Sequence, residues 1–513
     1  MGARLNDAAR SSLPGARRAA PAAGRHATIA EHAAHLPCVR LSRKASKRRG
    51  AARIVLAALL AACCSLLQEA CANDLPPAVA QALQEAGIPA RAVGIVVEAV
   101  DGGPPLLRHN PRQAMNPASA MKLVTTYAGL ELLGPAYTWR TEAFSEAVPA
   151  NGRLAGNLYL RGSGDPRLDL EQFWLLLRQI RTRGVSVIGG DLVLDRGAFA
   201  LPPHDPGEFD NEPLRPYNAG PDALLINLKS VHLTLLAEVT GVRVIAETPS
   251  DGLRIDNRLR LAQGACGDWR EQVKAAVDGQ TIAISGSFAV ACGEKSLDLA
   301  PWTADVQVEG LFRALWRELG GSLGGHVRAG RAPADGRLLA AHDSPPLSEI
   351  VRDINKYSNN VMARQLFLTL DNERPATTEG ARRRVARWLQ AKALNIPELV
   401  LENGSGLSRS ERISADGLAQ ILRAAWHSPV MPELVASLPI AGVDGTLRKR
   451  FGEGPLSGRA HLKTGYLDGA RAVAGFLLDR KGKRWIVVCL INDPQARLGK
   501  PAIDALLLWL VQR

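Results

Sequence analysis

The sequence predicts an α/β (α+β) chain: an antiparallel sheet flanked by helices, interrupted in sequence by a large β-rich insertion. Two observations carry this. Strand-type and helix-type stretches occur together near both ends of the chain, and between 141 and 340 they give way to short β-type runs separated by Gly turns. The composition supports packed cores, with 46% hydrophobic and 22% charged residues, so wholesale disorder is excluded. Its 48 Gly and 32 Pro follow no period, which excludes a collagen-like chain. At 513 residues, about three domains are expected.

In order along the chain, residues 93–100 read as a strand (VGIVVEAV). Asn116-Pro117 opens a helix over 118–133, closed by Gly134-Pro135, which is the usual Pro-first, Gly-last asymmetry. Within the insertion, β-type runs fall at 158–160, 190–194, 231–236, 242–246 and 281–284, and suggest two modules. Helical patterns return at 347–354 and 360–370. Three strands at 459–463, 472–479 and 484–491 follow, with turns at Leu467-Asp468-Gly469 and Arg480-Lys481-Gly482. An apolar helix over 502–512 closes the chain. The predicted organisation is a leader over 1–72, a discontinuous catalytic domain over 73–140 and 341–513, and the inserted modules over 141–340.

The net charge of +13 invites a nucleic-acid reading, but nine of those charges lie in the first 72 residues, which leaves +4 for the rest. No nucleic-acid partner is expected. The basic run Arg43-Lys44-Ala45-Ser46-Lys47-Arg48-Arg49, the apolar run 54–67 and Ala70-Cys71-Ala72 together make a secretory signal peptide, cleaved after Ala72. The apolar run is too short to span a bilayer. Leu60-Ala61-Ala62-Cys63 resembles a lipobox and leaves lipid anchoring at Cys63 as the competing reading; peripheral membrane association stays open. Residues 1–42 precede any reasonable n-region; the translation start is expected after them, with a disordered leader as the other reading.

Export implies an oxidising compartment. Of the cysteines beyond the leader, Cys489 sits in an apolar run and reads as a buried core thiol. Cys266 and Cys292 each neighbour Gly, as loop cysteines often do, and form the natural disulfide pair. No CxxC pair, and no His spacing among ten histidines, suggests a metal site. No cofactor is expected.

Three motifs carry chemistry. Ser119-Ala120-Met121-Lys122 is an S-x-x-K, Ser358-Asn359-Asn360 an S-x-N and Lys463-Thr464-Gly465 a K-T-G. Each alone is weak; their order and setting are not. Positions i and i+3 share a helix face, so Lys122 reaches the Ser119 hydroxyl. Ser needs a base to become a nucleophile, and Lys serves only if burial and nearby positive charge lower its pKa. Lys463 or Lys356 would supply that charge. Ser358 can relay a proton to the leaving amine, and Asn360 can bind a substrate amide. Lys463 and Thr464 can grip a carboxylate, and Gly465 lets substrate approach the backbone. The backbone N–H groups of Ser119 and Tyr466 would form the oxyanion hole.

In this order the motifs resemble the penicillin-recognising serine enzymes. Ser119 and Ser358 lie 239 residues apart. So large an insertion resembles the D-alanyl-D-alanine carboxypeptidase/endopeptidases, the class C low-molecular-mass penicillin-binding proteins. The segments beginning Arg161-Gly162-Ser163, Ile354-Asn355-Lys356, Asn403-Gly404-Ser405 and Ala441-Gly442-Val443 look like that family too, so the resemblance covers nearly all of 75–513.

The resemblance implies a transpeptidase/β-lactamase-like fold and a periplasmic serine enzyme. Ser119 would attack a terminal D-Ala–D-Ala bond, or a D-Ala–diaminopimelate cross-link, in peptidoglycan stem peptides. Lys122 would be the base and Ser358 the relay, with Asn360 and Lys463 binding substrate. β-Lactams would acylate Ser119 covalently. An acidic residue from the insertion is also implied, and Asp210 is the candidate. Tyr466 departs from the hydroxyl residue many relatives carry there. Two alternatives stay open: a β-lactamase or esterase on the same scaffold, and a non-catalytic wall-binding protein. The Ser405/Ser408 segment reads as a structural turn near the site rather than a second nucleophile.

Overall fold

The computed structural model describes residues 75–513. The leader expected over 1–72, with its cleavage site and the lipobox at Cys63, lies outside the described residues. Among those residues no helix is long and apolar enough to cross a membrane.

The sheet that positions the site is five-stranded and antiparallel. Its order is Ala460–Leu467, Ala470–Leu478, Arg484–Asn492, Val93–Ala99, Leu107–His109. Both ends of the chain meet in it, because Val93 pairs with Ile491 and Ala99 with Trp485. Strand Val93–Ala99 is buried along its whole length, since both faces of the sheet are covered.

The two-residue period sorts its side chains. Val96, Ala474, Phe476, Val488 and Leu490 pack under the helices Lys122–Leu133, Leu347–Lys356, Asn360–Thr369, Thr378–Ala391 and Ala415–Trp426. Val93, Ile95, Val97, Val473, Val487 and Cys489 face the terminal helices Pro77–Glu85 and Lys500–Val511. Burial pushes the Cys489 thiol up to about 12, so it stays protonated.

Strand Ala460–Leu467 runs four residues beyond its predicted end. The K-T-G therefore lies mid-strand, and the turn shrinks to Asp468-Gly469. The helix predicted from 118 begins instead as a 3₁₀ turn, Ala118–Met121, before the α-helix from Lys122.

Residues 140–343 build further sheets. Strands Val327–Ala329, Leu192–Asp195, Leu158–Arg161, Arg140–Ser145 and Arg337–Asp343 form one sheet in that order. Helices Leu170–Thr182 and Ala304–Glu318 share its core. The sequence reading passed over both helices, although Phe173, Leu176, Leu177 and Ile180 hold the helical spacing. The alternating runs around them masked that pattern. A second core forms from Val231–Glu238, Gly241–Ala246 and Glu294–Leu299 together with Arg254–Ala262, Val273–Asp278 and Thr281–Ala289. Cys266 and Cys292 are bonded there, with sulfurs 2.08 Å apart.

Candidate active site

The site lies where the 3₁₀ turn Ala118–Met121, the start of helix Asn360–Thr369 and the edge strand Ala460–Leu467 meet. Asn116 shapes the turn: its Oδ1 accepts the Ala118 N–H at 2.9 Å, and Ala118 adopts φ 46°, a left-handed conformation that costs a non-glycine residue energy. The strand packs tightly against this turn. A Cβ at Gly465 would stand 2.6 Å from the Pro117 carbonyl oxygen and 3.0 Å from the Ser119 nitrogen. Gly465 thus lets the strand approach the Ser119 turn closely.

Lys122 is fully buried. Its Nζ donates to Ser119 Oγ at 3.0 Å, to Asn360 Oδ1 at 2.6 Å and to the Ser405 carbonyl at 2.5 Å. Burial holds its pKa well below the ordinary lysine value; Lys463 and Arg364 lower it further, and Glu411 opposes them. Asn360 therefore also orients the base. Lys463, equally buried, donates to Ser358 Oγ at 2.9 Å and to the Thr464 carbonyl at 2.8 Å. Desolvation lowers its pKa to about 7. Ser358 itself sits at φ 58°, a second strained residue at the site. Two buried amines thus flank two serine hydroxyls, Lys122 beside Ser119 and Lys463 beside Ser358.

Thr464 Oγ1 lies 2.9 Å from Thr446 Oγ1, a hydroxyl supplied by the segment 441–447. The Tyr466 ring is half exposed, with the Arg471 guanidinium 4.9 Å from its centroid.

Two candidates are not brought into this cluster. Lys356 donates to Asp444 Oδ2 at 2.6 Å and to the Leu438 carbonyl at 2.7 Å. Its charge is matched by that carboxylate, and the charges acting on Lys122 come from Lys463, Arg364 and Glu411. Lys356 instead fixes the segment that presents Thr446. Asp210 accepts hydrogen bonds from Tyr217 and Asn218 and so braces its own loop. Its neighbour Phe209 does arrive: it packs on Ala118, Leu407, Leu467 and Ala470, with Arg409 4.5 Å from its ring centroid.

Ser405 is buried, and its hydroxyl donates to Asn403 Oδ1 at 2.6 Å, as a turn residue does. The sequence reading missed the role of its carbonyl, along with Glu411 and Thr446. The segments 403–409 and 441–447 were singled out without these roles, since a backbone acceptor leaves no residue-type signal, and Glu411 lies outside both.

The chain is 28% identical over 410 residues to D-alanyl-D-alanine carboxypeptidase DacB of Haemophilus influenzae, covering 78% of this chain and 85% of that protein. It is 29% identical over 437 residues to a D-alanyl-D-alanine carboxypeptidase of Actinomadura sp. (strain R39), covering 80% and 79%. The crystal structure of penicillin binding protein 4 (dacB) from Haemophilus influenzae superposes with a TM-score of 0.70 at 26% identity, over 85% of this chain and 99% of that one. The same protein complexed with a β-lactam superposes with a TM-score of 0.67. Residues 75–512 match one family model, and the chain belongs to the D-Ala-D-Ala carboxypeptidase 3 (S13) family.

Proposed function

We propose that this chain is a penicillin-sensitive serine DD-carboxypeptidase acting on peptidoglycan stem peptides. The carrying observation is the 3.0 Å bond from a buried, desolvated Lys122 to Ser119 Oγ. A neutral Lys122 takes the Ser119 proton as Oγ attacks the carbonyl of the penultimate D-Ala. Backbone N–H groups of Ser119 and Tyr466 hold the oxyanion. Collapse breaks the peptide bond. The departing D-Ala amine receives a proton through Ser358, beside the Lys463 ammonium, and an ester on Ser119 remains. Water then attacks that ester, and Ser119 recovers its proton. Lys463 and Thr464 hold the substrate's terminal carboxylate.

The same steps cleave a D-Ala–diaminopimelate cross-link, which presents the same acyl group. A β-lactam meets the same attack, but its leaving amine stays tethered and the acyl-enzyme persists. The catalytic unit comprises 73–140 and 341–513, with 141–340 inserted. The leader, with its basic run, apolar run and Ala70-Cys71-Ala72, would send the chain to the periplasm, where its substrate lies. Mass spectrometry of the chain incubated with penicillin tests the reading: one penicilloyl adduct on Ser119 is expected, with none in Ser119→Ala. Adduct formation elsewhere, or release of D-Ala by Ser119→Ala, would overturn it.

A further inference from the structure

The segment 402–411 reaches Lys122 with a backbone carbonyl, and one buried side chain shapes it. Glu411 is fully buried. Its Oε1 accepts the backbone N–H groups of Glu402 at 3.1 Å, Asn403 at 3.0 Å and Gly404 at 2.8 Å; its Oε2 accepts that of Gly406 at 2.8 Å. Burial raises the Glu411 pKa above the ordinary carboxylate value, and the four N–H donors converging on the carboxyl group pull back toward its ionised form. The loop wraps the carboxylate through two left-handed glycines, Gly404 at φ +70° and Gly406 at φ +79°. Gly406 has no room for a side chain: a Cβ there would stand 1.9 Å from the Ala118 carbonyl oxygen and 2.8 Å from the Ser119 nitrogen. Thr125, one turn along the helix from Lys122, donates to the Gly404 carbonyl at 2.6 Å. Between these two anchored glycines, the Ser405 carbonyl faces Lys122 Nζ at 2.5 Å.

We propose that Glu411 is a positioning residue for acylation: it folds segment 402–406 into the loop that aims the Ser405 carbonyl at Lys122 and backs the Ser119 turn, and it places one negative charge behind the general base. The inference rests on the functional reading above, in which Lys122 takes the Ser119 proton. That step turns a neutral amine into a buried ammonium. Lys463 and Arg364 oppose the new charge, and Glu411 favours it. Arg364 feels both Glu411 and Glu402, and Arg412 Nη1 donates to the Glu411 backbone carbonyl at 2.9 Å. The carboxylate therefore acts more strongly after proton transfer than before it, as a catalytic device must.

The test is the rate at which a fluorescent penicillin labels Ser119 from pH 5 to 9, in the parent, Glu411→Gln and Glu411→Asp. A Gln at 411 can keep three of the four bonds with its oxygen and turns its NH₂ toward Gly406 N–H, so fold and loop survive in altered form. In Glu411→Gln the plateau rate should fall about tenfold. Its acid limb should move down by roughly half a pH unit or more, because Lys122 loses the charge that favours its ammonium. Glu411→Asp, which restores charge with a shorter reach, should return the limb to the parental position with an intermediate plateau. A folded Glu411→Gln with unchanged rate and limb would overturn the proposal. So would a slower Glu411→Gln whose limb stays put and which Glu411→Asp does not improve, since that is a purely structural effect. Should Glu411→Gln fail to fold, Glu411→Asp decides: an unaltered plateau refutes the assignment, and a lowered plateau at the parental limb supports it. A parent that takes up no penicillin would overturn the functional reading itself, and this inference with it.

Discussion

Lys463 is asked to bind a carboxylate, yet its ammonium is buried and titrates at about 7, set by desolvation. The free enzyme therefore loses this cation as pH rises through neutrality. Only the charged form offers a charge-assisted hydrogen bond to the terminal carboxylate. If the neutral form binds negligibly, KM for an acyl-D-Ala-D-Ala peptide rises about tenfold at pH 8 and about a hundredfold at pH 9, relative to pH 6. Once substrate is bound, its carboxylate favours the ammonium, so kcat should fall at higher pH than kcat/KM. Lys122 acts oppositely. It must be neutral to act as a base, which places an acid limb on the same profile and makes it bell-shaped; the two buried amines interact, so the limbs belong to the pair. The assay is steady-state release of D-Ala from pH 5 to 9, run beside a peptide amidated at its C-terminus. The amide lacks the charge, so its weaker binding should stay flat above pH 7. A KM for the free acid that is constant between pH 6.5 and 9, or an amide that follows the same curve, would refute the role given to Lys463.

Further outcomes follow from neighbouring residues. Thr446→Val should raise KM for the carboxylate peptide about fivefold and leave the amide unchanged, while Thr446→Ser keeps parental kinetics; equal losses for both peptides would sink the idea that Thr446 aids Thr464. Asp165 lies nearly fully buried, with Oδ2 lacking a hydrogen-bond partner, and its pKa is raised to about 7. A raised carboxyl favours the protonated folded state, so its stability contribution is full below about pH 4 and is lost as pH climbs through 7. Asp165→Asn should then be more stable than the parent at pH 8 by up to about 4 kcal/mol, and match it at pH 4, as read by urea denaturation. The Cys266–Cys292 bond closes a loop of 26 residues in a small core remote from Ser119. Replacing both with Ser should cost that unit about 3–4 kcal/mol. Penicillin labelling of Ser119 at 25 °C should be unaffected, which thermal melts and labelling on one sample would check.

Much of the site was legible because its chemistry is bound to residue type and spacing. A Ser and a Lys three positions apart at a helix start must neighbour each other whatever surrounds them, and 3.0 Å separates their polar atoms. The strands 93–100 and 484–491 were legible for a similar reason: a near-continuous apolar run bounded by turns serves a strand in a sheet covered on both faces. Lys356 was misread because sequence proximity to Ser358 says nothing about direction; it ends a helix and points to Asp444, 88 residues on. Asp210 rested on the resemblance alone; its carboxylate accepts hydrogen bonds from Tyr217 and Asn218, while Phe209 beside it packs on Ala118.

The sequence by itself determined which groups react: a serine, a lysine one turn away, a second serine and a second lysine. Only the tertiary structure decided their states. Burial strips water from both ammonium groups and lowers their pKa values, and burial is a property of the packed chain, not of a motif. It likewise decided that a carbonyl at Ser405, a carboxylate at Glu411 and a hydroxyl at Thr446 join the cluster. These contacts link segments from distant parts of the chain, and chain closure over such lengths leaves no periodic or compositional trace.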